Sequence, residues 1–320
     1  MPEAEPHPQK NISKAAVFLR RLCTTVVLLG VVFFGLLSGG PLSVALVGAL
    51  VMLLNIVGLL EFYGMVKESQ LPRFKWIGLS GGIVLIGSLF LYLSQLADKW
   101  WEAGIPTMAN IAEIEVNIIA GIMLVLLIRR VLTHPAPSVF SIVGNTMLGV
   151  LYVSWLLGFV LKIFFYQAPV EVPFDGGICL LFFILVTKCS DMGAYSLGSL
   201  IGRHKMIPKV SPGKTWEGFF GAIILSTVVA LVFAHYFGES KLGGMKIIHA
   251  AVLGPLLAVG AVMGDLVESV YKRDSGAKDS GAFFPGIGGI LDLIDSLLLN
   301  APIMYFYLHL VLFNDLPNLK

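Results

Sequence analysis

Long apolar runs separated by short polar segments set the pattern of this chain. The runs cover about 22–38, 42–60, 76–96, 114–132, 139–166, 177–190, 218–237, 247–264 and 290–312. A helix needs roughly 20 apolar residues to cross a bilayer core, and most of these runs approach or exceed that length. They are apolar on all sides rather than striped, as suits helices surrounded by lipid and by other helices. The breaks carry turn and interface residues: Gly39-Gly40-Pro41, a polar loop with Lys67, Arg73 and Lys75, the Trp100-Trp101 pair at an interface, Thr133–Ser138 and Gln167–Gly177. After the sixth run a long polar loop reaches Trp216. The pattern predicts an all-α polytopic integral membrane protein of about nine transmembrane helices, without internal repeats or a soluble domain boundary.

Basic residues orient such a bundle. With the N-terminus cytoplasmic, Lys10, Lys14, Arg20, Arg21, Lys67, Arg73, Lys75, Arg129, Arg130, Lys188, Arg203, Lys205, Lys209, Lys214, Lys272, Arg273 and Lys278 fall inside, 17 in all, and only 5 (Lys99, Lys162, Lys241, Lys246 and Lys320) fall outside. The excess predicts a cytoplasmic N-terminus and an outside C-terminus. Residues 1–21 then form a cytoplasmic tail, 22–175 a region of five spans and 176–320 a region of four. The polar, Pro-rich head, residues 1–14, is expected to be disordered. It lacks a signal-peptide cleavage pattern, so the first run is read as a retained span.

Composition supports this. The chain is 57% hydrophobic and 13% charged, about half the charge of a soluble domain, with mean hydropathy +0.86. Cys23, Cys179 and Cys189 lie in or beside apolar runs without CxxC spacing, which argues against a disulfide framework or a zinc site. The formal charge of +2 says little about partners, and no nucleic-acid partner is expected.

Against that background residues 265–296 stand out, with six acids and three bases between apolar flanks. Charge near hydrocarbon is costly, and such clusters tend to be functional. Asp265, Glu268, Ser269 and Lys272 recur at steps of three and four and share a helix face, as do Asp292 and Asp295 on the next helix. The intervening Pro285–Gly289 lets backbone approach a ligand closely. Acid-bearing helix ends joined by a Lys-, Arg- and Gly-rich loop suit a divalent cation together with phosphates. A second polar region follows the sixth run. Asp191 sits at its boundary, and Gly193, Gly198 and Gly202 thin one face of a broken helix or permit close helix packing. Arg203, His204, Lys205, Lys209 and Lys214 follow. Ser211–Thr215 reads as a turn that opens the seventh helix, with Thr215 as cap and Glu217 in the first turn. A helix N-terminus beside Lys214 is a natural anion site. Taken singly, a Lys/Arg run beside a span is only a topology signal, Asp191 an ordinary boundary residue and His204 a solvated one; Glu61 and Tyr63 read as structural.

These two regions resemble the phosphatidate cytidylyltransferase (CDP-diacylglycerol synthase) family. Ser269, Lys272, Arg273, Lys278, Asp279, Gly281, Phe284, Pro285, Gly288, Gly289, Ile290, Asp292, Ile294 and Asp295 fit its pattern in register. DMGAYSLGSLIGRHK and SPGKTWEG are similar to its upstream segments. The resemblance is specific over about 188–296, and the earlier spans resemble the family only in being apolar. Three positions depart: Tyr271 for a small aliphatic, Ile287 for His and Leu293 for Arg. The last two are expected to touch, as a paired apolar replacement.

The resemblance implies transfer of CMP from CTP to phosphatidic acid, giving CDP-diacylglycerol and pyrophosphate, at the bacterial inner membrane on its cytoplasmic face. It implies Mg²⁺, held by Asp265, Asp292 and Asp295 with Glu268 and Asp191 as further ligands, and it admits a second, monovalent cation such as K⁺. Hard oxygen ligands without Cys/His pairs favour Mg²⁺ over zinc. Lys214, Lys272, Arg273, Lys278 and Asp279 are the expected catalytic set. Arg203, Ser211, Thr215, Ser269, Gly288 and Gly289 are expected to bind substrate. A homodimer is left open. Two other readings stand beside this one: a related CTP-dependent polyprenol kinase or CDP-archaeol-type synthase, and a cation-coupled transporter, whose acids would sit at the membrane midplane.

Overall fold

The computed structural model describes residues 30, 32–94, 111–133, 138–169, 172–276, 280–281 and 289–313. Among these, eight helices are long and apolar enough to cross a membrane: α1 Gly40–Glu68, α2 Lys75–Leu93, α3 Ile111–Val131, α4 Val139–Phe164, α5 Gly176–Ile201, α6 Trp216–Lys241, α7 Ile247–Ser275 and α8 Ile290–Leu312. They coincide with the second to ninth apolar runs. Most of the first run lies outside the described residues, as do the tail 1–21 and Trp100-Trp101; of that run, residues 32–37 are helical. The expected all-α membrane architecture holds. Helices suit hydrocarbon because each satisfies its own backbone donors and acceptors.

The ends of the C-terminal helices differ from expectation. The sixth run was expected to stop at 190 and give way to a loop or broken helix. Instead α5 continues unbroken to Ile201, through Asp191 and the glycines. Likewise α7 continues to Ser275, eleven residues past the end of its apolar run. Hydropathy marks where charge begins, but helical hydrogen bonding does not stop there. At ~1.5 Å per residue α7 is about 43 Å long, more than the ~30 Å hydrocarbon core. Its charged last turns therefore need not be buried in lipid. Gly276, at φ 70, closes it in the left-handed conformation that glycine adopts without strain.

Only a short connection separates α5 from α6, and it forms a hairpin. Strand β1 Lys205–Ile207 pairs antiparallel with β2 Ser211–Thr215, Lys205 opposite Thr215 and Ile207 opposite Ser211. Thr215 caps α6 as expected, its hydroxyl accepting from the Gly218 amide at 3.2 Å. Asp175 caps α5 by accepting from Gly177 and Ile178. A Cβ on Gly193 or Gly221 would run into the carbonyl of the other, so this stretch of small residues serves close packing of α5 on α6.

The main core draws on α1, α2 and α4–α8, with fully buried Leu59, Phe62, Tyr63, Phe182, Phe183 and Leu298. Tyr63 donates to the Thr146 carbonyl at 2.7 Å and is structural, as expected. α4 contains a π-helical turn, Val150–Trp155. Far along the chain from the acidic motif, Lys162 of α4 stands 2.7 Å from the Glu115 carboxylate of α3, both nearly buried, with the ammonium 4.1 Å from the centre of the Phe159 ring.

This ion pair yields a prediction. Glu115→Ala strands a buried ammonium and should cost about 3–5 kcal/mol, whereas Glu115→Leu combined with Lys162→Met should lose far less. Unfolding in mixed micelles measures both; a single variant as stable as the parent would contradict the buried-pair assignment.

Candidate active site

The continuity of α7 sets the frame. Asp265, Glu268 and Lys272 follow one another along a single face, about 15 Å of helix before Ser275. Lys272 bridges two acids, 2.9 Å from Glu268 Oε2 and 2.7 Å from Asp292 Oδ1. Asp292 Oδ2 accepts from the Gly289 amide at 3.0 Å and so closes the first turn of α8. One turn deeper, Asp295 is buried, accepts from the Ser296 amide at 2.5 Å, and lies within hydrogen-bonding reach of Asp265. Gly264 permits this: a Cβ there would strike the backbone of Asp295 and Ser296.

From the other side β2 brings in Lys214, whose ammonium lies 3.2 Å from Asp265 Oδ2 and donates to the Val262 carbonyl at 3.0 Å. From α5, Asp191 pairs with Lys188 at 3.4 Å and feels the charges of Asp265 and Lys214. Carboxylates and ammonium groups thus alternate across α5, β2, α7 and α8. A cavity of about 340 Å³ opens beside them, lined by Asp191, Tyr195, Gly198, Lys214, Thr215 and Asp265, among others.

Not every expected residue joins this cluster. Arg203 is exposed, and its backbone amide donates to Glu217, which also pairs with His204 at 2.6 Å. Arg273, also exposed, turns to the Val210 carbonyl at 3.1 Å and ties α7 to the hairpin. Ser211 belongs to the strand pair, Thr215 is spent on its cap, and Ser269 is half-buried on α7. Lys278, Asp279, Ile287 and Gly288 lie outside the described residues, so the expected Ile287–Leu293 contact does too.

Three contributors escaped the sequence reading. Glu61, read as structural, belongs to the motif: its Oε2 accepts from the Leu291 amide at 2.8 Å, and a Cβ on Gly281 or Gly289 would run into its carboxylate. From α1 it holds the start of α8 and closely approaches Gly281. Tyr152, on the π turn, packs against Tyr271 at 5.1 Å between ring centres and lies within electrostatic range of Asp295 and Glu268. Lys188, expected on the cytoplasmic side at the edge of the sixth run, sits near the middle of α5. A lysine inside an apolar run was the available signal.

Among the described residues no three His, Cys, Asp or Glu side chains converge as a ready-made metal group. The donor set nevertheless fits a hard cation. The adjacent Asp265 and Asp295 carboxylates repel unless a proton or cation lies between them, and Glu268 Oε1 is buried without a hydrogen-bond partner.

A cytidylyltransferase family model matches residues 19–311. The chain belongs to the cytidylyltransferase family. The match extends well before residue 188, so membership also rests on the N-terminal spans that had seemed merely apolar. A phosphatidate cytidylyltransferase of Haemophilus influenzae is 30% identical over 293 residues, 90% of this chain and 98% of that protein. One of Staphylococcus saprophyticus is 32% identical over 263 residues, covering 82% and 92%. An uncharacterised Escherichia coli protein, YnbB, is 29% identical over 282 residues, covering 87% and 83%. Within this cytidylyltransferase fold the acids of α7 and α8 are held together partly from α1.

That contact is testable. Glu61→Ala should remove about 1–3 kcal/mol and leave the α8 N-terminus under-bonded. Hydrogen exchange at residues 290–293 should accelerate more than in the middle of α8; unchanged exchange there would contradict the clamp.

Proposed function

We propose that this protein transfers the cytidylyl group of CTP to phosphatidic acid, forming CDP-diacylglycerol and pyrophosphate. A phosphate oxygen of the lipid attacks the α-phosphorus of CTP. The bond from that phosphorus to the bridging oxygen breaks, and pyrophosphate leaves with the electron pair. The nucleophile is already anionic, so the obstacle is bringing two polyanions together, and positioning with charge neutralisation carries most of the catalysis. The observation that carries this reading is the alternation of Lys188, Asp191, Lys214, Asp265, Asp295, Glu268, Lys272 and Asp292 across one junction. The named relatives point the same way.

Mg²⁺ would be held by Asp265 and Asp295, with Glu268 or Asp191 completing the set, and would supply positive charge to the phosphates. Lys214 at the cavity binds the triphosphate, and Lys272 neutralises charge at the N-terminus of α8. Asp292 orients Lys272 and fixes the first turn of α8. The protein is integral to the membrane; we place it in a bacterial inner membrane with a cytoplasmic N-terminus. With Lys188 inside α5, 16 basic residues inside against 5 outside support this orientation. On that orientation the hairpin, the α7 end and the α8 start face the cytoplasm, where CTP is supplied, while lipid arrives laterally.

Asp295→Asn and Asp292→Asn keep size and remove charge. Asp295→Asn should lower CDP-lipid formation beyond the ~10–100-fold typical of groups that only orient a ligand, and Asp292→Asn should fall within that range, with folded protein retained in both. Assay of purified protein with CTP, phosphatidate and graded Mg²⁺ checks this. Near-normal rate and Mg²⁺ response in Asp295→Asn would contradict the assignment.

A further inference from the structure

Lys188 lies twelve residues after the start of α5 and thirteen before its end, roughly 18–20 Å of helix from either. A lysine at that depth is costly unless its donors are satisfied. Here the ammonium donates to the Leu293 carbonyl at 2.8 Å and the Ser296 hydroxyl at 2.9 Å, and makes a longer contact of 3.4 Å with Asp191. The first two bonds fix α5 to the start of α8, beside Asp295. The third is the weakest in geometry.

Among the described residues the same lysine is the one charged residue lining a crevice of about 270 Å³ between the helical residues 32–37, α1, α4, α5 and α8. Leu50, Leu54, Leu157, Ile184 and Leu297 are among its otherwise wholly apolar walls. The crevice is partly open, and Leu50, Leu54, Ile184 and Leu297 on its walls are only partly buried. An apolar slot lined by a single ammonium is complementary to one chemical class, an amphiphile with an anionic head and a hydrocarbon tail. A nucleotide has no counterpart for the walls, and a simple cation is repelled by the lysine. That ammonium also adjoins the carboxylate cluster through Asp191 and Ser296. There Lys188 returns a cation to the neighbourhood of Leu293, where the pattern quoted above carries Arg.

We propose that this crevice is the acyl-chain subsite of the lipid substrate and that Lys188 binds the lipid's phosphate monoester, exchanging its long contact with Asp191 for a phosphate oxygen. The proposal rests on the reading that the acceptor substrate is phosphatidic acid. It places the lipid phosphate at Lys188, against the start of α8, and the triphosphate in the Lys214 cavity, with Asp191 both in contact with Lys188 and lining that cavity.

Steady-state kinetics in mixed micelles tests the assignment. Lys188→Met should raise KM for dioleoyl phosphatidate about 10- to 100-fold, as loss of one charge-assisted hydrogen bond implies, while KM for CTP stays unchanged. Lys188→Arg should restore most of the lipid affinity. Leu50→Trp, which fills the slot, should depress kcat/KM for dioleoyl phosphatidate more than for the dihexanoyl form. A fall in kcat with both KM values unchanged would mean that Lys188 only ties α5 to α8, and would overturn the proposal, as would an unchanged long-chain to short-chain ratio in Leu50→Trp. A second readout needs no turnover. Phosphatidate carrying a photoreactive acyl chain, added without CTP to protein in nanodiscs, should label peptides containing residues 50–54 or 184, and excess phosphatidate, not phosphatidylcholine, should compete. Labelling confined to other helices would overturn the subsite even if the enzyme makes CDP-lipid. Labelling at the slot without any CDP-lipid formation would instead retain the subsite and reject the cytidylyltransfer reading.

Discussion

Charge buried at a helix junction must be compensated locally, and that constraint governs this molecule. Five carboxylates and three lysines meet where α5, β2, α7 and α8 come together. Their arrangement is alternating, with Lys272 between Glu268 and Asp292 and with Lys214 on Asp265. An isolated ion in such a setting costs several kcal/mol, and attraction offsets that cost only when geometry and further hydrogen bonds are good. One place is left under-compensated: Asp265 beside Asp295, with the unpartnered Glu268 Oε1 nearby. Negative charge is therefore in local excess where a divalent cation and phosphates would be brought together, and positive charge flanks that point on both sides.

The rest of the fold serves to hold this junction. Unbroken α5 and α7 carry Asp191 and Asp265 on rigid helices rather than loops. The close approaches at Gly193, Gly221 and Gly264 bring the helices near enough for side chains to meet. Glu61 fixes the start of α8 from the N-terminal half, and Tyr152 packs against Tyr271 from α4. The region 176–320 supplies the charged groups, but their spacing depends on 22–175. A division into scaffold and catalytic half would miss that dependence.

Much of this was legible in the sequence, and the gaps have physical causes. Apolar runs located eight described helices because hydrocarbon length dictates them. Steps of three and four placed Asp265, Glu268 and Lys272 on one face because the helical period does. The cap at Thr215 was readable because a hydroxyl before a helix start has a specific partner to satisfy. The extension of α5 to Ile201 was not, since hydropathy reports solvent and not hydrogen bonding. That error in turn disguised Lys188 as a boundary lysine. Glu61 was hidden because its partner, the Leu291 amide, is 230 residues away. Arg273, which the resemblance puts in the catalytic set, points to the hairpin instead, because side-chain direction decides that and a motif does not.

The central claim is that this junction moves the cytidylyl group of CTP onto a lipid phosphate. The most direct test follows the label when purified protein, Mg²⁺ and phosphatidate are incubated with CTP labelled at either the α- or the γ-phosphorus. Label from the α-position in a chloroform-soluble product, with γ-label released as pyrophosphate, is the predicted result. Transfer of γ-label to a lipid, with none from the α-position, would contradict it and make the protein a CTP-dependent kinase.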